Sequence, residues 1–483
     1  MGEKVKKRKH FISTLGTSVY AEGKYIFGTS SMRTKFVQQA SLEIGMKDVE
    51  ADAITICLTE CAEKKNWLTR EYTQNDIEME KKSYPDTKIA VGDKYQGLKE
   101  ILEQKYAGRI HTVRMVEGSS QEETDQMFQN LYDIMEENDE IYLDITHGFR
   151  FFPMLAMTVL EYAKVTKNIT VGGIYYGMFG RREPDKEVIE CPLLDLTYYS
   201  DILDWSNAAD SFVRYGNSRQ IYDLVHNLMR VTKNKEEYQS ISNMVGALNN
   251  LTKCIETGRG KKCDNRSQAS IQTACERYNE KFDILKKEGQ IKLKPLEVLM
   301  DHIDRKVNML DIENNLSTGL SVIKWSINND MTQQGYTALE ETIKTYICDL
   351  AEVDDDKKWY RESFAKELVN SIIHTPSNNR QLGYDKWVNT EWNNGDLEKI
   401  KGTDETLEEF KRKIRLKGKK LSEIIPEELI KLNSNISEKR NDINHFGFTE
   451  KTISNDTLKK DLNKLYEKLL EIIRENPVPA KEE

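Results

Sequence analysis

The sequence predicts an α/β Rossmann-like N-terminal domain followed by an all-α C-terminal half. In roughly the first 200 residues, short apolar runs rich in β-branched side chains alternate with amphipathic stretches of helical period. From about Asp201 onward, apolar residues recur at helical spacing and strand-like runs almost disappear. Strands that alternate with helices predict a mostly parallel sheet, and the change of pattern predicts a separate helical part.

The elements of the α/β domain are predicted one by one from their periodicity. Strands are predicted at residues 11–12, 52–58, 109–116, 141–145 and 169–176, where apolar or alternating runs are bounded by polar turns. Helices are predicted at residues 95–105, 121–137 and 152–167, where apolar residues share one stripe. The turns after the first and fourth strands both contain glycine, and both are expected at the carboxyl edge of the sheet, where ligands bind.

The length of 483 residues predicts more than one domain. We expect an α/β domain at residues 1–200, a helical intermediate region at residues 201–316 and a final helical domain at residues 317–483. The intermediate region carries no motif that indicates a role.

Composition excludes several classes of protein. The net charge of −9 argues against a surface built for tight duplex binding, although it permits a local basic groove. No apolar run reaches the roughly 18 residues of a membrane span, and no secretory signal follows the basic N-terminus. The seven cysteines form no C-x2-C pair. We therefore expect no disulfide framework and no metal site, but a cytoplasmic protein with reduced thiols.

The stretch Asp144-Ile-Thr-His-Gly-Phe-Arg150 begins at the end of the fourth predicted strand and continues into the turn after it. Backbone N–H groups at the start of the next helix favour anions, and an arginine adds a positive charge. The stretch therefore predicts a phosphate-binding loop, with the candidate residues Asp144, Thr146, His147, Gly148 and Arg150. In the structural alternative, Asp144 caps the next helix and His147 is a hydrogen-bonded turn residue.

A second polar turn follows the first predicted strand, and its candidate residues are Ser13, Thr14, Leu15, Gly16, Thr17 and Tyr20. The turn lacks the G-x-G-x-x-G and G-K-[ST] patterns, so the sequence gives little support to NAD or ATP as a cofactor. An ordinary small-ligand α/β enzyme would need a catalytic group near these two turns, and only His147 or Asp144 provides one.

The third motif is Arg440-Asn-Asp-Ile-Asn-His445 near the C-terminal end. An arginine can hold a phosphate and stabilise its developing charge, and a histidine can move protons near neutral pH. Together they suffice for cutting RNA through attack of a ribose 2′-OH, and Asn441 and Asn444 are candidates for orienting the phosphate or the histidine. Five helical residues place Arg440 and His445 on different faces, so a working site needs a local deviation of the chain or a second copy in a two-fold dimer. The alternative is a helix-end histidine beside a solvated arginine.

A basic run precedes this motif, with seven basic residues among residues 411–420. Its functional interpretation is a patch that steers RNA, and its structural alternative is a solvated helix face.

These motifs together resemble the CRISPR-associated proteins that join a CARF sensor domain to a HEPN ribonuclease domain, and most of all the DxTHG-motif family found with type III systems. The resemblance rests on residues 144–150, on the Ser13–Thr17 turn with Tyr20, on Arg440 with His445, and on the run Leu203-x-Trp205…Gly216. It implies a homodimeric or higher oligomeric endoribonuclease of antiviral defence that cuts single-stranded RNA without a metal or other required cofactor. The two N-terminal turns would bind a cyclic oligoadenylate, expected to be tetra-adenylate, as allosteric activator. Arg440 and His445 of both subunits would form the composite catalytic site, and no membrane partner is implied.

The alternative within the same resemblance is a regulatory module. It would bind the same cyclic oligoadenylate but use its helical half to bind protein or nucleic acid without cutting it.

Overall fold

The computed structural model describes residues 7–180, 188–231, 235–261, 270–288, 294–449 and 452–479. The chain forms two compact units, Met1–Leu203 and Asp204–Glu483. The first unit contains an α/β sheet, and in the described residues of the second unit every regular element is a helix. The predicted fold class is therefore confirmed. Within the described ranges, no helix is long and apolar enough to cross a membrane.

The described residues of the first unit contain ten strands. Their bounds are β1 Lys9–Leu15, β2 Gly23–Phe27, β3 Ser30–Thr34, β4 Ala53–Leu58, β5 Arg70–Glu71, β6 Lys94–Tyr95, β7 Ile110–Arg114, β8 Glu140–Asp144, β9 Thr170–Gly177 and β10 Glu190–Asp195. Eight of them form one sheet in the order β3-β2-β10-β9-β8-β1-β4-β7, and β5 pairs with β6. The strands from β9 to β7 in that order are parallel, whereas β10 runs antiparallel to β9 and β3 antiparallel to β2.

The parallel part of the sheet has a reversal in its strand order. The chain begins in the middle with β1, adds β4 and β7 on one side, and then crosses β1 to add β8 and β9 on the other side. Open α/β sheets bind ligands beyond the carboxyl ends of the strands at such a reversal. The topology alone therefore selects the edge above β1 and β8 as the place for a ligand.

Helices cover both faces of this sheet. Those of the first unit are α1 Val37–Ala40, α2 Glu60–Ala62, α3 Gln74–Ser83, α4 Leu98–Tyr106, α5 Gln121–Asp133 and α6 Phe152–Thr166, with π-helical segments at Ser41–Gly45 and Glu63–Trp67. Successive strand residues point to opposite faces. Accordingly Phe11 belongs to the same buried cluster as Leu98 of α4, whereas Ile12 shares a second cluster with Met127 of α5 and Leu160 of α6. Burial on both faces explains why these strands are continuous apolar runs.

The helix α7, Thr197–Tyr215, crosses the boundary between the units and ends at Gly216, whose φ is +68°. The helices that follow are α8 Arg219–Val231, α9 Gln239–Glu256, α10 Ile271–Glu288, α11 Lys294–Val307, α12 Asn315–Asn328, α13 Thr332–Leu350, α14 Glu367–Ile373, α15 Arg380–Val388, α16 Asn394–Glu398, α17 Leu407–Ile424, α18 Glu427–Asn444 and α19 Asn455–Glu475. Shorter helical turns lie at Glu236–Tyr238, Tyr360–Lys366 and Pro376–Asn378. Two buried clusters organise this unit, one around Leu248 and Tyr278 and one around Tyr346 and Trp387.

Some predicted boundaries were wrong. Ser13, Thr14 and Leu15 were predicted in a turn, but they are the last residues of β1, because this strand pairs with β4 as far as Leu15 and with β8 as far as Ser13. The hairpin of β2 and β3 and the strand β10 were not predicted. Pro192 inside β10 weakens a strand pattern, and the sequence from Ser30 to Thr34 is polar.

Candidate functional site

The two predicted loops meet at the reversal of strand order. Ser13 near the end of β1 is paired in register with Asp144 at the end of β8. Because neighbouring parallel strands end at the same edge, the residues after Leu15 and after Asp144 emerge side by side. The structure thus brings together the two motifs that lie about 130 residues apart in the chain.

Asp144 lies beneath this edge and joins the two strands. Its carboxylate accepts hydrogen bonds from the Ser13 hydroxyl at 2.7 Å, from the Thr146 hydroxyl at 2.5 Å and from the Thr146 backbone N–H at 3.1 Å. The Thr146 hydroxyl in turn accepts from the Gly177 N–H at 2.8 Å. Burial raises the pKa of Asp144, while the bonds from Thr146 and Ser13 act against that rise. Asp144 and Ser13 are fully buried, so in this structure they shape the loop from below.

Thr14 and Gly148 lock the two loops together. The Thr14 hydroxyl donates to the backbone carbonyl of His147. Gly148 has a φ of +118°, and a Cβ atom added there would lie 3.2 Å from the Thr14 hydroxyl and 3.3 Å from Phe152. Only glycine combines this backbone conformation with such a close approach.

The Tyr20 ring stacks on the His147 ring, with centroids 4.6 Å apart and planes inclined by 25°. The Tyr20 hydroxyl accepts a hydrogen bond from the Gly16 N–H at 2.8 Å. Burial raises the pKa of Tyr20 and lowers the pKa of His147 to about 4. His147 is therefore neutral near pH 7 and suits stacking and hydrogen bonding better than charge neutralisation.

The other predicted ligand residues differ in their accessibility. Thr17 and Arg150 are exposed, and Leu15 is buried in the cluster beneath the sheet edge. Arg150 lies just before α6, so its charge is available on the surface at that edge. The first turn of α6 contains Pro153, which has no N–H to offer to an anion.

Two buried amides that the sequence did not reveal hold the first loop. Asn66 donates to the backbone carbonyls of Gly16 and Ser18, both at 2.8 Å, and accepts from the Tyr95 hydroxyl at 2.9 Å. Gln38 donates to the carbonyl of Thr14 at 2.8 Å. Both side chains are fully buried. They lie in helical segments without a motif, so no local signal pointed to them.

A cavity of about 240 Å³ opens beside the two loops. Tyr20, Thr146 and His147 line it, together with Lys35, whose ammonium lies 3.6 Å from the carboxylate of Glu80. An aromatic wall next to a lysine suits a flat base attached to an anionic group.

The third motif lies in the second unit, at the end of α18. The helix continues to Asn444, and His445 follows it. The side chains of Asn441, Asn444 and His445 are all exposed. Nε of Arg440 lies 2.9 Å from Oε2 of Glu340 on α13. In the described part of the chain, no hydrogen bond or ion pair joins Arg440 to His445, as expected for two positions on different helix faces.

The turn after His445 is anchored by Asp442, which the sequence did not single out. Its buried carboxylate accepts from the Thr449 hydroxyl at 2.6 Å and from the Ile453 N–H at 3.2 Å. These bonds hold the chain that follows His445 against the end of α18.

The basic run lies on α17. Three of its lysines pair with carboxylates: Lys411 with Glu408 at 3.1 Å, Lys413 with Glu405 at 3.4 Å and Lys420 with Glu352 at 3.0 Å. The positive field of this helix is therefore partly neutralised by its own surroundings.

Comparisons with known proteins give a match in each of the two units. The family described as "CRISPR system endoribonuclease Csx1, CARF domain" matches residues 10–180, and the family described as "CRISPR-associated protein MJ1674, second domain" matches residues 201–315. The CRISPR-associated protein MJ1674 of Methanocaldococcus jannaschii is 28% identical over 256 residues, which are 53% of this chain. The match spans 35% of that protein's length.

Proposed function

Since this chain is a CRISPR-associated protein with a CARF domain in its N-terminal unit, we propose that it is an endoribonuclease switched on by a cyclic oligoadenylate. A CARF domain in a CRISPR setting implies the sensing of such a ring. The proposal that the helical unit cuts single-stranded RNA in response rests on Arg440 and His445.

The observation that carries the sensing role is the junction of the two loops at the strand-order reversal. Thr14, Gly16, Thr146 and His147 all lie at this edge, and the cavity next to them combines aromatic walls with Lys35. A cyclic oligoadenylate presents alternating phosphates and adenines. The exposed Thr17 and Arg150 are suited to the phosphates, and the stacked rings of Tyr20 and His147 border the space for a base.

A symmetric ring suits a symmetric receptor, and we propose a homodimer. Three large apolar side chains on α6 are exposed in the single chain, namely Met154 at 73%, Tyr162 at 49% and Val165 at 87%. Their spacing of 8 and 11 residues places them within about 80° of one another around the helix. This apolar stripe on the helix that follows the ring-binding loop supports pairing of two N-terminal units.

The proposed reaction uses the RNA's own 2′-OH as the nucleophile. His445 accepts the proton of that hydroxyl, the oxygen attacks the adjacent phosphorus, and the bond from phosphorus to the 5′-oxygen breaks. The leaving oxygen takes up a proton, so the products are a cyclic 2′,3′-phosphate and a 5′-hydroxyl. The guanidinium of Arg440 binds the phosphate and stabilises its additional negative charge in the transition state. Asn441 and Asn444 are exposed near both groups and are assigned to orient the phosphate.

The test uses the purified chain and a fluorescent single-stranded RNA, with and without cyclic tetra- and hexa-adenylate. We expect cleavage that depends on one of the rings, 2′,3′-cyclic phosphate ends by mass spectrometry, and loss of cleavage in His445→Ala with ring binding retained. Absence of cleavage with either ring, or cleavage that His445→Ala leaves unchanged, contradicts the ribonuclease assignment.

A second candidate function is a regulatory module, in which Glu340 withholds Arg440 from a phosphate. In that case the ring changes the binding of a protein or nucleic acid to the helical unit and no RNA is lost. A thermal shift with cyclic tetra-adenylate that survives Arg440→Ala, together with intact RNA after long incubation, would support this candidate.

A further inference from the structure

Two phenylalanines directly after His445 project into solvent. Phe446 is 90% exposed and Phe448 is 86% exposed. Among the described residues beyond Ile424, they are the only large hydrophobic side chains with such exposure. Two bare aromatic rings next to a candidate catalytic histidine call for a physical explanation, because their exposure to water is unfavourable.

The backbone that presents these rings is also in an unusual conformation. Phe446 has a φ of +58°, and Gly447 has a φ of +75°. The Gly447 N–H donates to the carbonyl of Asp442 and the Phe446 N–H to the carbonyl of Ile443, which is the Schellman pattern of a helix end. The left-handed position of that pattern usually holds glycine, and here it holds a phenylalanine.

The turn is held in place rather than loose. The carboxylate of Asp442 accepts two hydrogen bonds from the chain beyond the turn, and the Thr452 hydroxyl donates to the carbonyl of Gly447 at 2.7 Å. Two residues span at most about 7 Å of chain. Both rings are therefore held on one short turn within reach of the nucleotides on either side of a phosphate bound at His445.

The size of the patch favours a nucleic-acid base over a protein partner. Two phenylalanines offer about 300–500 Å² of surface, whereas a stable protein interface buries about 800 Å² on each partner. The neighbouring side chains Asn441, Asn444 and His445 are exposed and polar. A single ring, by contrast, is sufficient to stack one base, and such stacking accepts any sequence.

We propose that Phe446 and Phe448 form a stacking platform for the bases that flank the scissile phosphate of single-stranded RNA. The platform rests on the proposed ribonuclease function for its substrate class and goes beyond it by assigning residues that bind bases. It grips the RNA through ring faces, so it contributes affinity with little sequence preference, while Arg440 and His445 act on the phosphate.

The test measures RNA binding separately from RNA cleavage. The full-length His445→Ala protein, with cyclic tetra-adenylate present, is titrated into fluorescein-labelled single-stranded RNA and the Kd is read by anisotropy. In this background we expect Phe446→Gly and Phe448→Ala each to raise Kd by roughly 5- to 30-fold, the lower part of the range for one lost stacking contact. Phe446→Tyr is the matched control and should bind as tightly as the parent. Phe446→Gly should keep the fold, because glycine is the residue that the positive φ favours.

Each outcome of this experiment supports or overturns the proposed stacking platform. Weaker RNA binding with unchanged dimer mass in sedimentation supports it, even if the protein with an intact His445 cuts no RNA, in which case only the ribonuclease assignment fails. Equal Kd values, or no measurable RNA binding by the parent, overturn it. Dissociation of the dimer in Phe446→Gly or Phe448→Ala also overturns it and assigns the rings to an interface between two copies.

Discussion

The carboxylate of Glu340 on α13 contacts Arg440 on α18. We expect this contact to set the orientation of the proposed catalytic arginine. Glu340 is 5% exposed, whereas the side chain of Arg440 is 32% exposed, and 2.9 Å separate Nε of Arg440 from Oε2 of Glu340. The contact engages the Nε edge, so the terminal nitrogens of the guanidinium stay available for a phosphate. We expect Glu340 to position Arg440 for the reaction.

The substitution Glu340→Gln removes the charge and nearly preserves the shape. A hydrogen bond to a charged group contributes about 1.5–3 kcal/mol. The Nε–H of Arg440 does not point at Glu340 with hydrogen-bond geometry, and the arginine is partly exposed, so we expect this ion pair to contribute slightly less than that range. A loss of about 1.4 kcal/mol in the transition state corresponds to a tenfold lower kcat.

The effect of Glu340→Gln on the free energy of unfolding should be smaller than its effect on the transition state, because the neighbouring Lys344 keeps its other partners. Lys344, which lies 3.5 Å from Glu340, also contacts Glu341 at 2.7 Å and Glu362 at 2.8 Å. We expect Glu340→Gln to cost about 1 kcal/mol of stability, which lowers Tm by about 2–4 °C in a unit of this size.

The assay is steady-state cleavage of single-stranded RNA at saturating ring, with kcat and KM determined separately and Tm measured on the same samples. Glu341→Gln is the matched control. It is the next residue of the same helix, and it pairs with Lys344 and Arg361 but, in the described residues, not with Arg440. We expect Glu341→Gln to change Tm by a similar amount and to leave kcat within twofold of the parent.

Two results would refute this reasoning. An unchanged kcat in Glu340→Gln means that the orientation of Arg440 does not depend on the contact. A kcat above that of the parent means that Glu340 withholds Arg440 from the phosphate, so that the contact is inhibitory.

Three further predictions concern the N-terminal loops. Asp144→Ala leaves the buried donors of Ser13 and Thr146 without an acceptor and should lower the free energy of unfolding by about 2–4 kcal/mol, measured as a fall in Tm. Asp144→Asn keeps one acceptor oxygen and should lower Tm less. Burial lowers the pKa of His147 from 6.5 to about 4, so the unfolded chain binds more protons between these pH values and Tm should fall as pH drops from 6.5 to 4. A profile of Tm against pH in His147→Asn as steep as that of the parent would contradict this. Gly148→Ala should weaken ring binding by at least about tenfold in calorimetry, because the added methyl group meets the Thr14 hydroxyl and the φ of +118° is strained. Gly92→Ala, with a φ of +93° and open space around it, is the control for backbone strain alone and should leave ring binding unchanged.

Sequence and structure contributed differently to the candidate sites. The loops containing Gly16 and His147 were predictable because glycine and small polar residues after an apolar run mark the end of a parallel strand. Their position at the carboxyl edge of the sheet was expected, and the registered pair Ser13 and Asp144 brings them side by side. The exposed phenyl rings of Phe446 and Phe448 were not predictable, since a single apolar residue in a sequence is buried far more often than it is exposed.

The sequence by itself determined the fold class of this protein, its change from α/β to helical texture and the location of its polar strand ends. These properties depend on periodicity within short windows, which the order of residues contains directly. Only the tertiary structure decided that Asn66 holds the first loop, that Glu340 holds Arg440 and that His147 is neutral near pH 7. These three findings depend on groups brought together from distant parts of the chain and on the shielding of those groups from water. Long-range contact and shielding from water leave no local pattern in the sequence.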